Sequence, residues 1–345
     1  MATRKNAKAI NVALQGGGAH GAVTWGVLDR LLEDERLTID SISGTSAGAV
    51  NGVALAYGLH KGGSEGGRES LETIWRTISD VGRRMNPVQR TPFEQFLGAY
   101  NLDDSVAYRA FDIFTRTLSP YQFNPFDINP LRDILERCID FESLRACTAA
   151  QIFLSATNVR SGKVHVFRTK DLSVDAVLAS ACLPFLYKAV EIEGEHYWDG
   201  GYMGNPVLFP FFYEAKCSDT VIVHVNPIER DEVPMTSSDI ANRINEISFN
   251  SSLLRELRAI SFVHRLLDEG WLKEDYRERL RNVRVHSIRS DRSMIDLSVA
   301  SKFSVDWAFL TELRDRGRRI ADAWLDEHYA AIGKSSSVDL KAMFA

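Results

Sequence analysis

The run DSISGTSAGAVNG, residues 40–52, decides the fold. It places a short β-type stretch, a serine between two glycines and the start of a small-residue helix in immediate succession. Glycine lacks a Cβ and tolerates backbone angles that other residues avoid. Gly44 and Gly48 therefore permit a tight strand-to-helix turn that lifts the Ser46 hydroxyl out of the fold, the geometry of a nucleophile elbow. The hydroxyl also falls near a helix N-terminus, where developing negative charge is favoured. A glycine-rich turn with an incidental serine is the plain alternative.

Just upstream, INVALQ (10–15) reads as a buried strand and GGGAHG (16–21) follows it. Next comes AVTWGVLDRLLEDERL, with Val23, Val27, Leu28, Leu31 and Leu32 at helical spacing. IDSIS is a second short strand, and AVNGVALAYGL (49–59) is a helix. Two strand–glycine loop–helix units in a row begin a parallel sheet with crossover helices.

Further along, HKGGSEGGRES (60–70) has the composition of a flexible loop. Residues 85–130 hold nine aromatics: Phe93, Phe96, Tyr100, Tyr108, Phe111, Phe114, Tyr121, Phe123 and Phe126. That is denser than the chain's 10% average and fits a helical insertion packed on the core, or a lid or lipid-facing wall. From 151 the β pattern returns in QIFLSATNV, KVHVFR and the hairpin-like AVEIEGEHYW, with the helix VDAVLASA between them. TVIVHVNP and NVRVHSI read as further strands. Residues 237–269 form a long amphipathic helix with Ile240, Ile244, Ile247, Leu254, Leu257 and Leu267 on its apolar side, and 305–330 a closing helix. No linker stands out, so residues 8–332 are expected as a single domain, with 333–345 a flexible tail.

The chain has 345 residues, 45% apolar and 25% charged, ordinary globular values that allow a large core. A net charge of −5 gives no reason to expect nucleic acid. Cys138, Cys147, Cys182 and Cys217 show no C-x-x-C spacing and read as reduced thiols. No run approaches a membrane-spanning length, and the N-terminus lacks a signal-peptide core. A cytoplasmic protein is expected, with peripheral contact at a membrane or lipid surface left open and oligomeric state unspecified. No metal-ligand spacing is present, so neither a metal nor another cofactor is expected.

GGGAHG admits two chemical readings. It fits G-x-G-x-x-G, the dinucleotide fingerprint, but Asp40 stands at the wrong end of the second strand to hold a ribose. Alternatively, consecutive glycines present backbone N–H groups to an anion at a helix N-terminus. Gly17, Gly18 and Ala19 would then face the same volume as Ser46. A tight turn that only lets helix and strand pack closely also satisfies the motif. DGG (199–201) by itself marks a turn.

Taken in order, GGGAHG, GTSAG, ASACLP and DGG resemble the patatin-like phospholipase family, over about residues 10–210. The resemblance implies a three-layer α/β fold with a mostly parallel central sheet and helices on both faces. It implies lipid acyl hydrolysis by a Ser–Asp dyad, with Ser46 as nucleophile and Asp199 as base. Gly17, Gly18, Ala19 and Ala47 match the oxyanion hole, and Gly16, His20, Gly21, Gly44, Gly48, Gly200 and Gly201 the supporting motif positions. The substrate is then a lipid or other acyl ester.

A carboxylate is a weak base at an ordinary pKa near 4, so this mechanism calls for a desolvated Asp199. The family often carries Arg or Lys where this chain has His20, which makes activity dependent on His20 protonation the expectation. None of the other seven histidines has the late-loop context of a triad base. Six arginines between 277 and 292, mixed with Glu278 and Asp291, fit a solvated face better than a phosphate site. A soluble carboxylesterase, a storage-polyester hydrolase, a dinucleotide-binding protein and a catalytically silent interaction protein are the competing readings.

Overall fold

Strand β1 (Lys8–Leu14) is buried along most of its length because it lies inside a sheet covered on both faces. β2 (Leu37–Gly44) flanks it on one side and β7 (Asp219–Val223) on the other, both parallel to it. β3 (Gln151–Asn158) extends the parallel set beyond β2, and β8 (Arg284–Ile288) beyond β7. Three antiparallel strands complete the sheet: β4 (Val164–Arg168), β5 (Val190–Ile192) and β6 (Glu195–Asp199). The order is β5-β6-β3-β2-β1-β7-β8, with β4 on the other side of β3. This computed structural model describes residues 7–86, 105–271 and 280–344.

Side chains alternate across the strands and divide the core in two. Ile10, Val12, Leu14, Ile152, Leu154, Val221 and Val223 join one cluster, with helices α1 (Gly21–Glu33), α2 (Ala47–Met85) and α7 (Trp307–His328). Ala13, Phe153 and Ile222 join a second, which contains Leu253, Leu257 and Ile260 of α6 (Ser237–Asp268). Two cores on opposite faces make three layers, and the central sheet is mostly parallel as expected. The other helices used below are α3 (Val106–Thr117), α4 (Pro130–Cys138) and α5 (Val174–Ser180).

Three expectations need correction. Residues 60–70 are helical: α2 runs through them and turns back at Gly62 and Gly63, the latter at φ 63°. The two arms touch, since the Trp75 indole N–H donates to Asn51 Oδ1 at 2.9 Å. The glycines that suggest a loop are needed because Gly58 and Gly66 meet backbone to backbone between the arms.

In α6, Ile240, Ile244 and Ile247 are exposed. The inward stripe runs through Glu246, Asn250, Leu253, Leu257 and Ile260, so the first half of the helix is anchored by polar groups. The C-terminal residues are seated rather than frayed. The Gly333 N–H donates to Asp219 Oδ1 at 2.8 Å, Ser336 and Ser337 bond β8, and Leu340 is buried in the second core.

The hairpin forms as expected, with Glu193 and Gly194 both at positive φ in its turn. In the aromatic segment, Phe93, Phe96 and Tyr100 lie outside the described residues. Phe111 packs on Phe303 with ring centroids 6.0 Å apart, and Tyr121 and Phe126 are exposed.

Candidate active site

β2 ends at Gly44, whose partner on β3 is Leu154. β4 occupies the opposite side of β3 along this stretch, so β6 must pair on the edge that β2 vacates. There Asp199 stands opposite Ala156, two residues past Leu154. The turn that leaves β2 and the end of β6 therefore meet at one point of the sheet edge. This register is what brings together positions 46 and 199.

Ser46 occupies the turn at φ 55°, ψ −123°, a conformation that an L-residue adopts only under constraint. The constraint is local packing. Thr45 is tied through its hydroxyl to Gly204 O at 2.7 Å and to Ser155 Oγ at 2.5 Å, while the Ser46 N–H donates to Ser180 Oγ at 3.1 Å. On the helix side, a Cβ at Gly48 would overlap the Leu14 carbonyl, so only glycine lets α2 start this close to β1.

Asp199 is fully buried beneath the turn. Its Oδ1 accepts from the Gly201 N–H at 2.7 Å, and Oδ2 has no ordinary hydrogen-bond partner among the described residues. The Ser46 hydroxyl is near enough to favour the ionised form, though not in ordinary hydrogen-bond geometry with Oδ2. Desolvation is the largest influence and pushes the carboxyl up to about 6, against weaker opposing effects of the Gly201 N–H, Ser46 and the Lys302 charge.

The glycine loop leaves β1 beside the same turn. Gly16 N–H donates to Asn205 Oδ1 at 2.7 Å and its carbonyl accepts from Asn226 Nδ2 at 2.8 Å. Gly18 is at φ 58° and abuts the backbone of Lys302. Gly17, Gly18, Ala19, Ser46 and Ala47 all line one cavity of about 430 Å³. Ala47 begins α2, and Gly18 begins a single 3-10 turn, positions at which backbone N–H groups lack intrahelical acceptors. The remaining wall is mostly apolar, including Val50, Ile78, Val81 and Ile134. Gly21 packs against Ala47, Gly44 against Gly48, Gly200 against Ser155 and Gly201 against Phe249.

The placement of His20 does not favour the expected dependence of activity on its protonation. Its side chain is buried away from the cavity, with Nε2 2.7 Å from Ser301 Oγ. Burial, followed by the charges of Lys302 and Arg316, holds its pKa well below the ordinary value, so the ring is neutral near neutral pH. Among the described residues that line the cavity, the one basic residue is Lys302, on the 3-10 turn Ala300–Phe303 next to Ser301. No motif marks VASKFS in the sequence, and only the long-range contact between this turn and the glycine loop brings Lys302 to the site. Ser180 lies inside the quoted ASACLP neighbourhood, but its bond to the Ser46 amide depends on the placement of α5.

Among the described residues no histidine lines the cavity. His224 bonds Ser287, His264 bonds the Val283 carbonyl and His286 faces Asp219. Asp40 accepts from the Lys216 and Cys217 amides and is thereby occupied away from any ribose position. Of the arginine run, Arg281 bonds the carbonyls of Phe211, Ala215 and Lys216, Arg284 pairs with Asp219 and Arg289 with Asp291, while Arg277 and Arg279 lie outside the described residues. Among the described residues no group of three His, Cys, Asp or Glu side chains is placed to hold a metal ion, and no helix is long and apolar enough to cross a membrane.

Fold and site define the class: a three-layer α/β protein with a serine at positive φ in a strand-to-helix turn, beside a buried carboxylate. The family model described as patatin-like phospholipase matches residues 12–212, more than half of the chain, and the protein belongs to that family of lipid acyl hydrolases. The crystal structure of VipD from Legionella pneumophila is similar at 16% identity and a TM-score of 0.41, covering 94% of this chain and 67% of that one. Among curated proteins, no sequence matches.

Proposed function

We propose that the protein is a serine acyl hydrolase that cleaves lipid carboxylic esters through Ser46 and Asp199 with an acyl-enzyme intermediate. Ser46 attacks the ester carbonyl while Asp199 takes its proton, and the same carboxyl returns that proton to the leaving alcohol. Water then repeats the sequence on the acyl-enzyme. Amides of Gly17, Gly18 and Ala47 receive the oxyanion, with Ala19 completing the cradle. One such donor is worth about 3–4 kcal/mol of barrier. The apolar wall takes the acyl chain.

The observation that carries this reading is the pairing of a constrained serine, at φ 55°, with a fully buried carboxylate whose Oδ2 has no ordinary hydrogen-bond partner among the described residues. An ordinary core would not hold a carboxylate in that state. The elevated pKa makes it a better base than an exposed aspartate, while leaving it ionised at neutral pH.

The test is a fluorophosphonate probe followed by peptide mapping. Labelling at Ser46 that is lost in Ser46→Ala and strongly slowed in Asp199→Asn is expected. Labelling elsewhere, or none, defeats the proposal.

A further inference from the structure

With His20 neutral and turned away, Lys302 is the one charged side chain among the described residues lining the cavity. Its ammonium is held by two acceptors, Asn226 Oδ1 and Asn245 Oδ1, each at 2.9 Å. An ammonium has three protons, so a third donor position remains beyond those two bonds. Asn226 also bonds the Gly16 carbonyl, which links the ammonium to the glycine loop through one side chain. From the other direction, the Lys302 carbonyl and Cβ lie against Gly18, the loop residue at positive φ.

Charges of both signs surround it. On α6, Glu246 faces Lys302 but is already paired with Arg230 and with Arg243. From the end of β6 comes the carboxylate of Asp199, and from the glycine loop the neutral His20, near which stands Arg316 of α7, itself paired with Asp296 and Glu312. A cation beside this cavity, poorly screened by water, favours a state in which negative charge develops at the cradle.

We propose that Lys302 is a positioning residue for the acyl transfer: through Asn226 and Gly18 it holds the glycine loop in place, and its ammonium charge favours the oxyanion there over the neutral ester. This rests on the hydrolase reading above. In the reaction the protonated lysine gives up no proton; it acts as a fixed charge. Burial brings its pKa down to about 8, with Glu246 and then Asp199 opposing. The charge is therefore present at neutral pH and lost within a measurable range.

Lys302→Met, Lys302→Arg and Asn245→Ala in the full chain, assayed from pH 5 to 10 on the neutral ester p-nitrophenyl butyrate, test it. In the wild type kcat should fall above about pH 8. Met should lower kcat about tenfold or more at pH 7 and remove that alkaline limb. Arg should retain much of the activity and push the limb beyond the assay range, since guanidinium stays charged. Asn245→Ala removes an acceptor that favours the charged form, so the limb should move to lower pH.

A Met variant with wild-type kcat and an unchanged alkaline limb overturns the proposal. So does an Arg variant impaired equally to Met with the same profile, which is the signature of a purely structural lysine. An effect confined to KM for anionic lipids would make Lys302 a headgroup contact instead. Urea unfolding checks that each variant folds, and if Met does not, the Arg and Asn245→Ala limbs decide. Wild-type labelling at Ser46 separates the two readings: if it is absent, the hydrolase reading fails and this one with it, whereas labelled wild type with an unaltered Met variant removes only the role of Lys302.

Discussion

Replacing Asp199 by Asn should make the protein more stable while removing its activity, and the gain should grow with pH. The carboxyl is fully buried, and desolvation raises its pKa from 3.8 to about 6. In the unfolded chain it releases its proton near the ordinary value; in the fold it holds it to higher pH. Between those values the folded state binds more protons, so stability falls as pH rises through the window and levels off above it. The two pKa values differ by enough to cost about 3 kcal/mol at pH 8 and about half that at pH 5.

The amide is neutral throughout, and its Oδ1 can still accept from the Gly201 N–H that Asp199 now receives. Its Nδ2 brings a donor to the place of the unpartnered Oδ2, where Ser46 Oγ can accept. Urea unfolding at both pH values reads the difference directly, as a shift in midpoint at constant m. Equal stability of variant and wild type at pH 8, or a difference that does not change between pH 5 and 8, would refute the claim that a desolvated charge sits at this position.

Wild-type kcat/KM should rise with an apparent pKa near 6 as Asp199 ionises, read from a pH–rate profile. His20→Gln should leave the position of that limb unchanged, because the ring is already neutral; a displaced limb would restore a charged role to His20. Ser46→Gly should be more stable than Ser46→Ala by about 1 kcal/mol in denaturant unfolding, since glycine alone is unstrained at φ 55°. Gly48→Ala should cost about 3 kcal/mol or abolish folding, read by thermal unfolding, because the new methyl overlaps the Leu14 carbonyl. Val81→Trp narrows the apolar wall of the cavity, so kcat/KM for long-chain p-nitrophenyl esters should fall far more than for the acetate.

The strand–glycine–helix units, the positions of the later strands along the chain and the place of Ser46 were all legible from residues close in sequence. Each rests on a local demand. A buried strand needs an unbroken apolar run, and a sharp turn against a neighbouring backbone needs residues without a Cβ, as at Gly48. Local composition misled where the same residue serves two purposes. Glycines at 62, 63, 66 and 67 suggest a loop, yet they allow a helix to fold back and its arms to touch. The stripe Ile240, Ile244, Ile247 has the spacing of a buried face, but the helix turns Glu246 and Asn250 inward instead, because these hold the loops beneath it.

What tertiary structure alone decided is electrical. The sequence names an aspartate at 199 and a histidine at 20, but their charge states depend on the solvent taken from around them, and burial is a property of the assembled chain. Likewise nothing near position 302 in the sequence points to the glycine loop; a contact across almost the whole chain makes Lys302 part of the cavity wall. Residue type limits which backbone turns are possible at each position, whereas field and desolvation sum over neighbours in space.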